Sequence, residues 1–155
     1  HKAVLDGWRA WDRAGRPLPM IIAGAGPLEA GFDGALKLGW LPHEALLAQL
    51  RACRVLLFPA RWQEPFGMLG IEALAQGTPV IVAARGGISD WSGRGCINVE
   101  PGDVSRMAAA VQDLASDPGK AIALGRDGQV FVRERFAREP IMRLLLDLYE
   151  EVAES

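Results

Sequence analysis

Phe58-Pro59-Ala60-Arg61-Trp62-Gln63-Glu64-Pro65-Phe66-Gly67-Met68-Leu69-Gly70-Ile71-Glu72-Ala73-Leu74-Ala75-Gln76-Gly77-Thr78-Pro79-Val80-Ile81 joins an apolar strand to a helix and then to a second apolar strand. Val55 to Phe58 is apolar throughout and stopped by Pro59, the pattern of a strand covered on both faces. Pro65 biases Glu64 toward extended backbone, so the spacing predicts its carboxylate in the loop at the strand's carboxyl end, where ligands of open α/β sheets lie. Gly67 opens the helix with free backbone N–H groups, and a residue without Cβ lets a phosphate approach them closely. The helix from Gly67 to Gln76 is apolar almost all round, which predicts burial, yet it carries Glu72. A buried carboxylate needs a partner, and the residues three and four away are Met68, Leu69, Ala75 and Gln76. The partner must therefore come from elsewhere. It is either an arginine in a structural ion pair (Arg51, Arg54 or Arg61) or the hydroxyls of a ligand, and the spacing alone does not choose between them.

Outward from this segment the chain alternates strands and helices. Upstream, residues 2 to 14 carry Val4, Leu5, Trp8 and Trp11 at helical spacing, closed by Gly15 and Pro17. Leu18 to Ala23 reads as a strand entering the turn Gly24-Ala25-Gly26-Pro27, Ala35 to Trp40 as the next strand, and Pro42 to Arg51 as a helix with the stripe Leu46, Leu47 and Leu50. Downstream, Pro79 to Ala83 and Gly95 to Val99 read as strands separated by a turn at Gly86-Gly87. Asp103 caps a helix whose Val104, Met107, Ala108, Val111 and Leu114 share one face. Two further helices, about 119 to 135 and 139 to 153, end the sequence, the last with the stripe Ile141, Leu144, Leu145, Leu148 and Val152. Apolar strands alternating with helices predict a Rossmann-like α/β fold, a parallel sheet with helices on both faces, in one domain of 155 residues.

Composition narrows the function. Half the residues are apolar and 23% are charged, ordinary for a globular protein. A net charge of −2 offers no broad attraction for a polyanion, so nucleic acid is not an expected partner and any anion must be bound locally. Cys53 and Cys96 stand apart, without CxxC spacing, and no Asp-x-Asp or His cluster marks a metal site. Reduced thiols and the lack of an apolar run of roughly 18 residues point to a cytoplasmic protein with no transmembrane segment. His43, just after Pro42, reads as an exposed first-turn residue, and the five tryptophans as packing rather than sugar platforms.

The segment Glu64-Pro65-Phe66-Gly67-Met68-Leu69-Gly70-Ile71-Glu72-Ala73-Leu74-Ala75-Gln76-Gly77-Thr78-Pro79-Val80-Ile81, with seven residues between its two glutamates, resembles the signature of glycosyltransferase family 4. Flanking pieces agree in order: Gly24-Ala25-Gly26-Pro27, Leu38-Gly39-Trp40-Leu41, Gly86-Gly87-Ile88-Ser89-Asp90 and Leu148-Tyr149-Glu150. The resemblance spans essentially the whole sequence and implies residues 1–155 as the C-terminal, nucleotide-sugar-binding half of a retaining, metal-independent bacterial glycosyltransferase of the two-domain GT-B type. It further implies that the N-terminal acceptor domain and a first strand lie outside this sequence, that the N-terminal domain is the partner of this half, and that any peripheral membrane attachment would come through it. The donor would be a UDP- or GDP-sugar, with no cofactor and no metal.

In that family the first glutamate contacts hydroxyls of the donor sugar, the second the ribose, and amides at the helix start the diphosphate. By resemblance these roles fall to Glu64, to Glu72, and to the backbone of Gly67, Met68 and Leu69, within a donor site that also takes in Pro65, Phe66, Gly24, Gly26, Trp40 and Leu41. Base contacts would be to backbone around Trp40 and Leu41. Lys2 is similar in position to a lysine that neutralises the departing diphosphate and would share the catalytic role with Glu64; an assisting arginine would precede residue 1. The sequence departs from the pattern at Ala3, where glycine is usual, and at Ala60, Leu74 and Asp90, where serine, methionine and glutamate are common. Competing readings are an epimerase-like or phosphorylase half of the same architecture and a non-catalytic Rossmann-like interaction domain. A dinucleotide-binding turn is disfavoured because Gly24-Ala25-Gly26-Pro27-Leu28-Glu29 lacks the third glycine of GxGxxG.

Overall fold

A computed structural model describes residues 3–26 and 31–153. Its elements are α1 (Val4–Arg13), β1 (Ile21–Ala23), β2 (Leu36–Gly39), α2 (His43–Ala52), β3 (Leu56–Phe58), α3 (Met68–Ala75), β4 (Val80–Ala83), a 3-10 turn (Gly87–Asp90), β5 (Cys96–Val99), α4 (Val104–Ser116), α5 (Pro118–Phe136) and α6 (Arg138–Ala153). All strand pairs are parallel. Hydrogen bonding divides the strands into a pair, β1-β2, and a three-stranded sheet, β3-β4-β5, rather than one continuous ladder.

Strand β4 shows how the layers are built. All four of its residues are buried, and they alternate between two cores. Ile81 and Ala83 join Ala10 of α1, Ala14 just after it, and Met107, Val111 and Leu114 of α4 on one face. Val80 and Val82 join Ile71 and Leu74 of α3, Leu50 of α2 and Val132 of α5 on the other. A period of two thus feeds both faces, which is why the strand reads as an unbroken apolar run.

Local chemistry accounts for most boundaries. Asp103 and Asp117 cap α4 and α5, each accepting from the backbone N–H three residues on, and Pro118 occupies the first turn of α5, where its missing N–H is no loss. Strand β1 is shorter than Leu18 to Ala23: the Trp11 indole donates to the Leu18 carbonyl (2.7 Å), and Pro19 has no N–H to give a ladder. The expected stripe on α6 exists, but the helix buries no residue; Leu144 and Val152 are each 67% exposed. No helix among the described residues is long and apolar enough to cross a membrane.

The second core closes around Trp91. Its side chain is 1% exposed, and its indole N–H donates to the Phe66 carbonyl at 2.5 Å. A Cβ on Gly70 would lie 2.1 Å from the ring's Cη2. Gly70→Ala is therefore expected to cost about 1–3 kcal/mol, because the ring has no space to retreat into. Gly93→Ala, with nothing within 4 Å of its Cβ position, is the control and should leave stability within about 0.5 kcal/mol. Denaturant midpoints of the two variants check this.

Candidate functional site

Strands β3 and β4 end side by side, so the loops that follow them meet at the carboxyl edge of the sheet. Glu64 pairs there with Gly86 as an isolated parallel bridge, and the Gly87 N–H donates to the Glu64 carbonyl (2.9 Å). The approach leaves no space for side chains: a Cβ on Gly87 would sit 1.9 Å from the Pro65 carbonyl oxygen, and one on Gly86 2.6 Å from that of Glu64. The Gly86-Gly87 pair is thus a backbone contact surface for the acidic loop as well as a turn. Fixed in this way, Glu64 is half-buried, and its Oε2 is buried with no hydrogen-bond partner among the described residues. An unsatisfied buried carboxylate oxygen costs on the order of 1–3 kcal/mol or more, which an incoming hydroxyl donor would recover.

Gly67 caps α3 in the left-handed region (φ 82°), packed against Phe58, Ile88 and Trp91. The helix runs Met68–Ala75, one residue shorter at each end than the expected Gly67 to Gln76, with no side chain capping its first amides. Met68 is 59% exposed and Leu69 half-buried, so this end of α3 is open rather than buried all round. Pro65 is exposed and Phe66 half-buried, its ring meeting Phe136 edge-on.

Glu72 has a partner that the sequence reading did not foresee. His43 Nε2 lies 2.9 Å from its Oε1, and the carboxylate side chain is 24% exposed. None of the three arginines is paired with it. Arg51 donates through Nε and Nη2 to Gln76 Oε1 (3.1 and 2.7 Å), Arg61 pairs with Asp6, and Arg54 Nη1 is buried without a partner among the described residues. His43 is exposed as expected, at 64%, but it is engaged. It begins α2, directly beyond the carboxyl end of β2, so this contact brings the edge carrying Trp40 and Leu41 beside α3. Trp40 is 85% exposed and Leu41 half-buried; the Gly24 N–H donates to the Gly39 carbonyl (2.6 Å), placing Gly24 next to the same turn, and Gly26 is exposed two residues on.

Asp6, a residue the sequence reading passed over, is 4% exposed in the first turn of α1 and forms a two-point pair with Arg61, Nε to Oδ2 at 2.5 Å and Nη2 to Oδ1 at 2.9 Å. The hydrogen bond and the charge of Asp6 raise the Arg61 pKa above its already high ordinary value. The available signal was that Asp6 stands four residues before Ala10, on the buried face of α1. A depression of about 390 Å³ opens beside this pair, lined by Ala3, Leu5, Asp6, Arg9, Arg61 and Trp62. A second, about 420 Å³, lies between the carboxyl-terminal ends of α1 and α4, away from the loops that carry the glutamates.

Lys2 and Pro27 lie outside the described residues. Ala3 is the N-cap of α1 with φ 47° and ψ 35°, a left-handed conformation at the position where glycine is usual in the resemblance. Of the other departures, Ala60 and Leu74 are buried packing positions and Asp90 is exposed in the 3-10 turn.

Parallel strands with helices on both faces define the class, a Rossmann-like α/β unit. The chain belongs to the glycosyl transferases of group 1, whose family model matches residues 14–130. It is 30% identical over 151 residues to 2-deoxystreptamine glucosyltransferase of Streptomyces kanamyceticus, covering 90% of this chain and 39% of that protein. It is 36% identical over 136 residues to glycogen synthase of Mycobacterium tuberculosis, covering 78% and 33%. The chain thus spans well under half the length of these relatives. Among solved structures, sucrose-phosphate synthase of Thermosynechococcus elongatus superposes with a TM-score of 0.80 at 29% identity, covering 97% of this chain and 43% of that one. Anabaena HepE, solved with UDP and glucose, superposes with a TM-score of 0.82 at 18% identity, covering 99% and 45%, a likeness of fold.

Two expectations follow. Ala3→Gly should stabilise the protein by up to about 1 kcal/mol, the relief of left-handed strain offset in part by the freer unfolded chain, and a thermal melt reads it. Burial pushes the Cys96 thiol up to about 12 and also raises that of Cys53. At pH 8 only ~10⁻⁴ of Cys96 is thiolate, so iodoacetamide should leave it unmodified in the native protein and label it in denaturant, as mass spectrometry would show.

Proposed function

We propose that this chain is the C-terminal, donor-binding half of a retaining glycosyltransferase, and that it holds a nucleoside diphosphate sugar, a UDP- or GDP-sugar, at the carboxyl edge of β1 to β4. The observation that carries this reading is the buried, unpartnered Oε2 of Glu64, held by backbone pairing in a loop directly before an open helix start. In this reading Glu64 accepts from hydroxyls of the donor sugar, and Glu72 accepts from the ribose through the carboxylate oxygen that His43 leaves free. The backbone N–H groups of Gly67, Met68 and Leu69 take the diphosphate, whose charge the positive end of α3 favours. Trp40 and Leu41 offer backbone to the base, with Gly24, Gly26, Pro65 and Phe66 around them.

Lys2 is assigned the departing diphosphate, where a cation placed against developing charge lowers the barrier. The acceptor and the remaining catalytic contacts come from an N-terminal domain, the partner of this half. Charge on the diphosphate is met by a helix terminus and a basic side chain, so no metal is required. Family membership supports the reaction class, and the solved complexes of HepE with UDP and of TarM of S. aureus with UDP show fold relatives that bind such a nucleotide.

Calorimetric titration of the protein with UDP, GDP, ADP and their sugars should yield one nucleotide that binds with unit stoichiometry. Glu72→Ala should weaken it about 10- to 100-fold, the worth of a hydrogen bond to a charged group. Glu64→Ala should weaken the nucleotide sugar while leaving the plain diphosphate within about threefold, and EDTA should change neither. Equal affinity in wild type and Glu72→Ala would remove the ribose assignment.

A further inference from the structure

The bond between His43 and Glu72 crosses from the first residue of α2 to the middle of α3, 29 residues apart in sequence. An ionised carboxylate can only accept, so His43 Nε2 must carry the proton and donate it to Oε1. No other side chain is positioned to orient this carboxylate from its own helix. Met68, Leu69 and Ala75 bring no hydrogen-bonding head to it, and Gln76 is turned to Arg51, whose Nε and Nη2 donate to its Oε1, and donates nothing to Glu72 among the described residues. Side chains on a helix lean toward its amino end, and α3 begins at the carboxyl edge of the sheet. The His43 ring, at the start of α2 beyond the carboxyl end of β2, reaches across to α3 and holds the Glu72 head rather than letting it swing into solvent.

Resting on the donor-site reading above, we propose that His43 is a positioning residue for nucleotide binding. It occupies Oε1 of Glu72 and thereby aims Oε2 at the ribose hydroxyls. The same residue follows Trp40-Leu41-Pro42, the turn assigned to the base. One hydrogen bond therefore ties the base-side turn to the ribose-side carboxylate and sets the spacing between two adjacent parts of one nucleoside. A ring that is 64% exposed contributes little to the core, so a fold-stabilising purpose does not account for its orientation.

The test uses His43→Ala, His43→Gln and Glu72→Ala, titrated with UDP, GDP and ADP and with the 2′,3′-dideoxy form of each. For the nucleotide that binds, His43→Ala should lose about 3- to 10-fold in affinity, the worth of one oriented hydrogen bond. The dideoxy form should bind wild type and His43→Ala equally, because the group that His43 aims has nothing to accept from. His43→Gln, which keeps a donor N–H at similar reach, should recover most of the loss, and the melting temperatures of both His43 variants should match wild type. Unchanged affinity in His43→Ala, or an equal loss for the dideoxy form, overturns the positioning role. If Glu72→Ala discriminates between ribose and dideoxyribose while His43→Ala does not, only the role of His43 fails. If Glu72→Ala does not discriminate either, the ribose assignment fails and the His43 proposal with it.

Discussion

The contact on which the rest depends is the seat of the Glu64–Gly70 segment against Gly86, Gly87 and Trp91. Two loops leaving adjacent parallel strands touch backbone to backbone, with the Gly87 N–H on the Glu64 carbonyl and the Trp91 indole on the Phe66 carbonyl. Such an approach demands positions without Cβ at Gly86, Gly87 and Gly70, because each side chain added there would overlap an atom that is itself fixed. The constraint sets where Glu64 sits, turns the chain through left-handed Gly67, and aims the first amides of α3. A single packing event thus delivers both a carboxylate and an anion-binding helix start to one edge of the sheet.

Around that seat, acidic groups are sorted by partner. Asp6, nearly fully buried, is neutralised by a two-point arginine. Glu72, partly open, takes a histidine at one oxygen. Glu64 is left with an oxygen that no described residue satisfies. A fold selected only for stability would not leave a buried carboxylate oxygen without a partner, since that is costly. Of the arginines near in sequence, Arg51 is committed to Gln76 and Arg61 to Asp6, while Arg54 pairs with neither glutamate and leaves its own Nη1 without a partner among the described residues. Incomplete pairing in a loop at the carboxyl edge is the pattern of a site awaiting polar groups from a ligand.

Much of this was legible before any coordinates. Helix starts at Asp103 and Gly67, and the buried run Val80 to Ala83, depend on residues within a few positions of one another, and local chemistry decides them. The position of Glu64 was also readable, because Pro65 restricts its backbone directly. The protein partner of Glu72 was not: the reading offered Arg51, Arg54 or Arg61, or else the hydroxyls of a ligand, and the side chain that bonds its Oε1 is His43. Helical spacing excluded neighbours on α3 correctly but could not rank residues on another helix. Asp6 was missed for the same reason, since its partner stands 55 residues away. For α6, periodicity revealed an apolar stripe, yet a period says which residues share a face and not whether anything lies upon it.

The amino-acid sequence by itself determined the order of strands and helices, the parallel α/β class, and, through the resemblance, the family and the two glutamates that carry it. The order and the class follow from short-range patterns of apolar residues, prolines and glycines that restrict the backbone wherever they occur. Tertiary structure alone decided which side chains meet: His43 with Glu72, Asp6 with Arg61, Trp91 with Phe66, and no described partner for Glu64 Oε2. Those outcomes depend on how helices from distant parts of the chain settle on a sheet, and a few ångströms of placement separate a bonded carboxylate from one left open to a ligand.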